Sequence, residues 1–290
     1  ENSLMKRILS VLIAILAFMP ALSAQEDVKV AFEMRAGFMV DSNPHFFADH
    51  LNFRVDSRLN DHFSFVWKQR LAKSLVGSQP LNATDYVYVN YSLGDWDFAA
   101  GKQVLECGGF EYDAAPIDVF YYTQYWGNIY CFQLAGSAIF TDKSGNHKLT
   151  LQVSNSPYVH YAGTGSEWRQ GLLGYSVMWS GNFPHFKTLY SVNMFERERG
   201  KFVNHITLGN KIEFGPWSWY IDYQNRATSF EHFFDNFFVV TRMDVALKDV
   251  KVFLKAGYDQ NLSDVPNALP KDPLMEAGQR YLFYGGGVEY

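Results

Sequence analysis

From Leu51 onward, apolar and polar residues alternate with a period of two. Leu51, Phe53, Val55 and Leu59 fall on one face, and Asn52, Arg54, Asp56 and Arg58 on the other. That is the spacing of a β-strand with a single apolar side. After the polar break at Asn60 and Asp61, the pattern resumes as Phe63, Phe65, Trp67 and Leu71 against His62, Ser64, Lys68 and Arg70, which predicts an antiparallel hairpin. It returns in Val87, Val89, Tyr91 and Leu93, and in Leu149, Leu151 and Val153 opposite Lys148, Thr150 and Gln152. The later runs are Ile206, Leu208, Ile212 and Phe214 opposite Thr207, Lys211 and Glu213, then Trp217, Trp219, Ile221 and Tyr223 opposite Ser218, Asp222 and Gln224. Val239, Met243, Val245 and Leu247 opposite Arg242 and Asp244, and Val250, Val252, Leu254 and Ala256 opposite Lys251 and Lys255, complete the set. No segment shows a comparable helical period.

Turn residues at 142–145, 181–184, 198–200, 215–216 and 248–249 separate these runs. The spacing predicts roughly fourteen strands, each on the order of ten residues, the length a strand needs to cross a bilayer at a tilt. Longer irregular stretches at 73–83, 106–128, 156–166 and 261–278 are expected as loops on the extracellular side. The fold class expected is therefore all-β: an antiparallel transmembrane β-barrel. Strands of a soluble β-sandwich also alternate, but strand number and length favour the barrel. So do Trp96, Trp168, Trp179, Trp217 and Trp219, which suit aromatic girdles at a membrane interface.

Composition sharpens this picture. Aromatics make up 17% of the chain, yet mean hydropathy is slightly negative. No segment after the N-terminus is a continuous apolar stretch long enough for a spanning helix, so an α-helical membrane protein is excluded. At the N-terminus, Lys6 and Arg7 precede an apolar run from Ile8 to Met19 and then Pro20, Ala21, Leu22, Ser23 and Ala24. This is the three-part pattern of a secretory signal, with cleavage expected after Ala24. Glu1 to Leu4 lie upstream of Met5, which looks like the initiator. Residues 1–24 are thus read as upstream residues and signal peptide, and 25–290 as one barrel domain. The net charge is −5, or −6 without residues 1–24, and nothing in it suggests nucleic-acid binding. Cys107 and Cys131 are the two cysteines; alone they cannot make a zinc site, and after export a disulfide between them would persist. No nucleotide loop, metal-ligand spacing or calcium loop is present, and no cofactor is expected.

The segment running from Gly101, Lys102 and Gln103 through Glu106, Cys107, Gly108, Gly109, Phe110, Glu111, Tyr112 and Asp113 to Asp118 is followed by an aromatic run and then a strand. It resembles the region where proteins of the phosphate-selective porin O and P family pass from the barrel into an inner loop. That resemblance implies an outer-membrane barrel of sixteen strands, a homotrimer, with the third loop folded into the lumen. Sixteen strands exceed the number visible here. The C-terminal run from Arg280 to Tyr290 alternates and ends on an aromatic, as a barrel-terminal assembly signal does; the competing expectation is a chain cut one hairpin short.

In such a channel the chemistry is lumen charge, rings of cations favouring anions and rings of carboxylates favouring cations. Arg54, Arg58, Lys68, Arg70, Lys148, Lys187, Lys211, Arg242, Lys251 and Lys255 are the cations expected to face the lumen, with Asp56, Glu213, Asp222 and Asp244 as neutralising partners. Arg54, Arg58, Lys68 and Arg70, on two adjacent strands, suggest a local basic wall. The expected constriction loop is acidic, with Glu106, Glu111, Asp113 and Asp118, and its nearest cation is Lys102. Tyr112, Phe120, Tyr121, Tyr122, Tyr125, Trp126 and Tyr130 could pack this loop against the wall or offer a slide for sugars and other uncharged solutes, packing being the expected role. A bridge between Cys107 and Cys131 would pin the loop and remove roughly 3 kcal/mol of chain entropy from the unfolded state.

The function expected is a water-filled channel in the outer membrane for passive diffusion of small solutes, anions such as phosphate among them, and not an enzyme. Two rivals remain open. One is a membrane-embedded hydrolase, for which His45, His50, His62, His160, His185, His205 and His232 supply no recognisable nucleophile motif. The other is a plugged structural or adhesion barrel.

Overall fold

The computed structural model describes residues 28–39, 43–71, 83–161, 171–230, 233–262 and 274–289. The signal-peptide segment, Trp168, His232 and most of the 73–83 and 261–278 stretches lie outside them. Among the described residues there are fourteen strands, each antiparallel to its sequence neighbour wherever the pairing is described. The chain divides into two compact units at Leu93 and Gly94.

The first unit carries β1 (Val28–Met39), β2 (His45–Arg58), β3 (Phe63–Arg70) and β4 (Thr84–Leu93) as an antiparallel meander. Its apolar face is aromatic: Phe32 lies 5.4 Å from Phe53, and Phe53 meets Trp67 edge-on at 5.6 Å. Cross-strand ring pairs of this kind fix register as well as adding contact energy.

The second unit carries β5 (Trp96–Val104), β6 (Phe132–Thr141), β7 (His147–Asn155), β8 (Leu173–Asn182) and β9 (Phe186–Glu198). It continues with β10 (Lys201–Phe214), β11 (Trp217–Ala227), β12 (Asn236–Leu247), β13 (Val250–Asn261) and β14 (Gln279–Glu289). The turn from β6 to β7 closes on Asp142, whose amide donates to the His147 carbonyl at 3.0 Å while Gly145 takes a left-handed φ of 71°. Lys248 adopts φ 55° in the turn between β12 and β13 without a glycine.

The two faces of this sheet are inverted relative to a water-soluble protein. Leu149, Leu151, Val153, Val192, Met194, Leu208, Trp217, Trp219 and Ile221 are exposed, whereas Thr150, Gln152, Ser191, Asn193, Thr207, Asp222 and Gln224 are buried. Apolar area left in water costs about 25 cal/mol per Å², so a continuous exposed face of this kind requires lipid to cover it. Aromatics gather where short turns join the strands: Trp96 lies 5.2 Å from Phe140, Trp179 stacks on His147, and His185 stacks on Phe214. That is the placement of an interfacial girdle. No helix among the described residues is long and apolar enough to cross a membrane; the crossing elements are the strands.

Candidate functional site: an inner loop docked on a charged wall

Residues 105–131, between β5 and β6, fold onto the polar face of the second unit. They contain two short helices, α1 (Phe110–Asp113) and α2 (Gln124–Asn128), with a 3₁₀ turn at Pro116–Asp118. Anchoring is by backbone groups of the loop to side chains of the wall. The Glu106 amide donates to Gln152 Oε1 at 3.1 Å, and the Glu106 carbonyl accepts from Asn193 Nδ2 at 2.7 Å. The Cys107 carbonyl accepts from Ser191 Oγ at 2.6 Å. The Glu111 amide donates to Asp222 Oδ2 at 2.8 Å, and the Gln124 amide to Asp259 Oδ2 at 2.7 Å. Five strand side chains thus satisfy loop groups that burial would otherwise leave unpaired.

Gly108 and Gly109 make the close approach possible. Both take positive φ, 67° and 83°, and a methyl group at Gly108 would stand 3.0 Å from the Leu189 carbonyl oxygen. Opposite them β10 carries Gly209, where a methyl would meet the Gly109 Cα at 2.9 Å. Two backbones pass here with no room for a side chain on either.

Beneath the hydrogen bonds the loop contributes Leu105, Cys107, Tyr125 and Ile129 to an apolar core with Phe195, Val203, Tyr220, Phe238, Val240 and Phe283 of the wall. His205 of β10 is buried there, with the Tyr125 hydroxyl 3.3 Å from Nδ1 and the Tyr158 hydroxyl 3.0 Å from Nε2. Both ring nitrogens are therefore engaged by phenols rather than by a nucleophile or carboxylate. Of the loop aromatics, Tyr125 packs as expected and Tyr112 lies against the core, while Phe120, Tyr121, Tyr122 and Tyr130 remain exposed.

The cysteine bridge is a correction: Cys107 and Cys131 are both free thiols. Cys107 is fully buried, and burial pushes its thiol up to about 12, which suppresses the thiolate that oxidation requires. Hydrogen bonds hold the base of the loop instead, including the Leu105 amide to the Cys131 carbonyl at 2.8 Å.

Strand register organises the charges. Lys187 faces Lys211, Lys211 faces Tyr220, Tyr220 faces Arg242 and Arg242 faces Lys255. Four of the expected cations therefore stand in one row on the polar face, with Glu213 and Asp244 in the row beside them. Lys187 and Lys211 share Glu213, at 2.6 and 2.7 Å. Arg242 lies between Asp244 at 2.7 Å and Glu289 at 2.8 Å, and Lys251 also pairs with Glu289. Lys255 reaches Glu111 of the loop at 2.6 Å, and both side chains are 3% exposed. Lys148 stands on the polar face of β7 near Glu106 and Asp113; burial pushes Glu106 up to about 7 and also raises Asp113, partly offset by Lys148. Asp118 contributes its carbonyl, which accepts from Arg242 Nη1 at 3.4 Å.

The first unit holds the other four cations, and there the expected basic wall is neutralised. Arg54 makes a bidentate pair with Asp56 at 2.7 and 2.8 Å, Lys68 meets Glu33 at 2.5 Å, Arg70 meets Asp85 at 2.5 Å and Arg58 lies 3.3 Å from Asp61. Each cation of that set has its own carboxylate.

A lipid-facing antiparallel sheet with a long loop folded onto its polar face is the architecture of a channel wall and its constriction. The family model for phosphate-selective porin O and P matches residues 33–223. The chain belongs to that family. It is an outer-membrane porin, a channel for diffusion of small solutes. Among solved structures it is similar to OmpF of Salmonella typhi, in a complex with daunomycin, at 10% identity over 80% of this chain and 78% of that one, with a TM-score of 0.52. It is also similar to OccK10 (OpdN) of Pseudomonas aeruginosa, at 10% identity over 89% of this chain and 68% of that one, with a TM-score of 0.50. At such identity the likeness speaks for the fold, the antiparallel architecture of outer-membrane porin barrels. A comparison with curated protein sequences finds no match.

Proposed function

We propose that the channel prefers anions, inorganic phosphate among them, and that the preference originates at Lys187 and Lys211. The observation carrying this reading is that two facing lysines share one ion-paired carboxylate, Glu213; Asp113 of the loop also acts on Lys211, but burial raises it and so weakens its charge, which leaves the pair with an excess of positive charge. A unit charge about 6 Å from a permeating ion in a water-filled lumen is worth ~0.7 kcal/mol, about threefold in relative permeability. In a planar bilayer with a potassium chloride gradient, the reversal potential should show anion preference. Replacing one of the two, Lys187→Gln, cancels the excess charge and should move that preference toward unity by this factor. Cation preference in the unmodified protein would overturn the reading.

Acidity should strengthen the preference. As pH falls through about 7, Glu106 gains a proton, and one of the two loop carboxylates facing Lys148 loses its charge, Asp113 being the other. Because its folded value is raised, the ionised carboxyl opposes docking, so the loop is held best in acid and less firmly as pH rises through 7. Anion preference should therefore be larger at pH 6 than at pH 8, and Glu106→Gln should flatten the difference; an unchanged pH profile in that variant would remove Glu106 from the account.

In this reading the pore is passive and performs no bond chemistry, residues 1–24 direct export and are removed, and the assembly in the bilayer is a homotrimer, testable by the mass of the detergent-extracted complex. The plugged barrel draws support from the apolar core between loop and wall; a protein that inserts into bilayers and passes no current would favour it.

A further inference from the structure

We propose that the inner loop carries a subsite for an uncharged pyranose, formed by Phe120, Tyr121 and Tyr122 beside the ion-pair network of Arg242, Asp244, Glu289 and Lys251; this rests on the channel reading above. Exposed apolar residues of the strands are explained by lipid, but these rings lie on a loop over the polar face, where lipid does not reach. Tyr121 and Tyr122 are 41% and 42% exposed, and Phe120 is 51% exposed.

The rings are seated rather than loose. Tyr121 lies over Gly285 of β14, where a methyl group would come within 2.8 Å of the ring, and Tyr122 lies over Gly127 of α2, where it would come within 2.6 Å. Phe120 stacks on Phe253, with centroids 6.4 Å apart and 17° between planes. The Tyr121 carbonyl accepts from Lys255, which holds this part of the loop to β13. Phe120 and Tyr121 are each backed on one side and partly exposed, while Tyr122 also meets the Trp126 ring at 4.9 Å; rings seated in this way are pre-organised for stacking at little entropic cost. The carbon–hydrogen face of a pyranose is the complementary surface.

The polar edge beside them argues for a neutral ligand. Arg242 lies 4.1 Å over the Phe253 ring and bonds Asp244 and Glu289, and Lys251 completes the set on Glu289. Two cations and two carboxylates cancel, so the edge offers donors and acceptors for hydroxyl groups without a net field that would select an ion.

The test is single-channel recording of the full protein in potassium chloride with maltotriose on one side. Polyethylene glycol of matching size serves as a control for volume, and benzoate as an aromatic anion. The expected result is concentration-dependent interruptions of current by maltotriose, with an apparent affinity that falls about tenfold or more, equivalent to 1.4 kcal/mol, in Tyr121→Ala/Tyr122→Ala. Gly285→Ala, which keeps both rings but pushes Tyr121 off its seat, should weaken affinity in the same direction. Heat-modifiable mobility in detergent gels verifies that each variant is folded. Interruptions equal for polyethylene glycol and maltotriose, interruptions by benzoate alone, or a maltotriose affinity unchanged in both variants would each overturn the subsite. Ion preference, read from the reversal potential without sugar, tests the channel reading separately.

Discussion

Lys255→Met is expected to release the inner loop and raise single-channel conductance. The pair it breaks, Lys255 Nζ to Glu111 Oε1 at 2.6 Å, is almost fully buried on both sides. Removing one partner leaves an uncompensated carboxylate in a poorly solvated place, at a cost of about 3–5 kcal/mol. Glu111 in turn accepts from the Thr123 hydroxyl at 2.6 Å, and Thr123 Oγ1 caps α2 by accepting from the Trp126 amide at 3.2 Å. The disturbance therefore travels from β13 through α1 to the start of α2. β13 is paired on both sides, with β12 and β14, by backbone hydrogen bonds that the substitution does not touch, so the cost falls on loop docking rather than on the sheet. Increased protease cleavage within residues 105–131 should accompany the rise in conductance. In Lys255→Met/Glu111→Leu the penalty of the buried charge disappears, while the Thr123 hydroxyl and the Tyr121 carbonyl lose their partners, so conductance should return part of the way to that of the unmodified protein. A wild-type conductance in the single variant would mean that this pair does not hold the loop.

How much of this could be read without the structure follows from the range of each interaction. The alternation of Leu149, Leu151 and Val153 with Lys148, Thr150 and Gln152 is a local property, and β7 lies where that pattern places it. The identity of residues 106–128 as irregular, acidic and aromatic was equally local. What those residues touch was not. Glu111 finds Lys255, Gln124 finds Asp259, and Cys107 finds Ser191, all through pairings fixed only once the strands are in register. Asp222 was expected only as a neutralising partner on the polar face and Asp259 carried no expectation, yet both accept loop amides. A hint was present, since carboxylates in the middle of long strands need a partner wherever water is displaced. The cation row is likewise a product of register: Lys187, Lys211, Arg242 and Lys255 are scattered in sequence and meet through four successive strand pairings. The basic wall of the first unit failed because Glu33 of β1 and Asp85 of β4, which neutralise Lys68 and Arg70, lie on strands whose polar faces had not been aligned with it.

Gly209→Val tests docking without altering any charge. Valine suits a strand better than glycine does, so β10 itself should not suffer. The added atoms, however, would enter space where a single methyl already stands 2.9 Å from the Gly109 Cα, 2.9 Å from Asp222 Oδ1 and 3.1 Å from the Leu189 carbonyl oxygen. None of the three can turn aside freely: two are backbone atoms, and the Asp222 carboxylate is committed to the Glu111 amide. Overpacking of this kind costs about 1–3 kcal/mol, and the strain is relieved most cheaply by lifting Gly108 and Gly109 from the wall. Conductance should rise as in Lys255→Met, while Lys187, Lys211 and Glu213 keep their mutual arrangement. Gly136 of β6, where a methyl meets nothing within 4 Å, is the matched control, and Gly136→Val should conduct normally. If both valine variants conduct alike, the close passage of the two glycine backbones is not what seats the loop. If only Gly209→Val opens the pore, the constriction is held by shape as well as by the buried ion pair, and the size limit of the channel can be tuned apart from its charge.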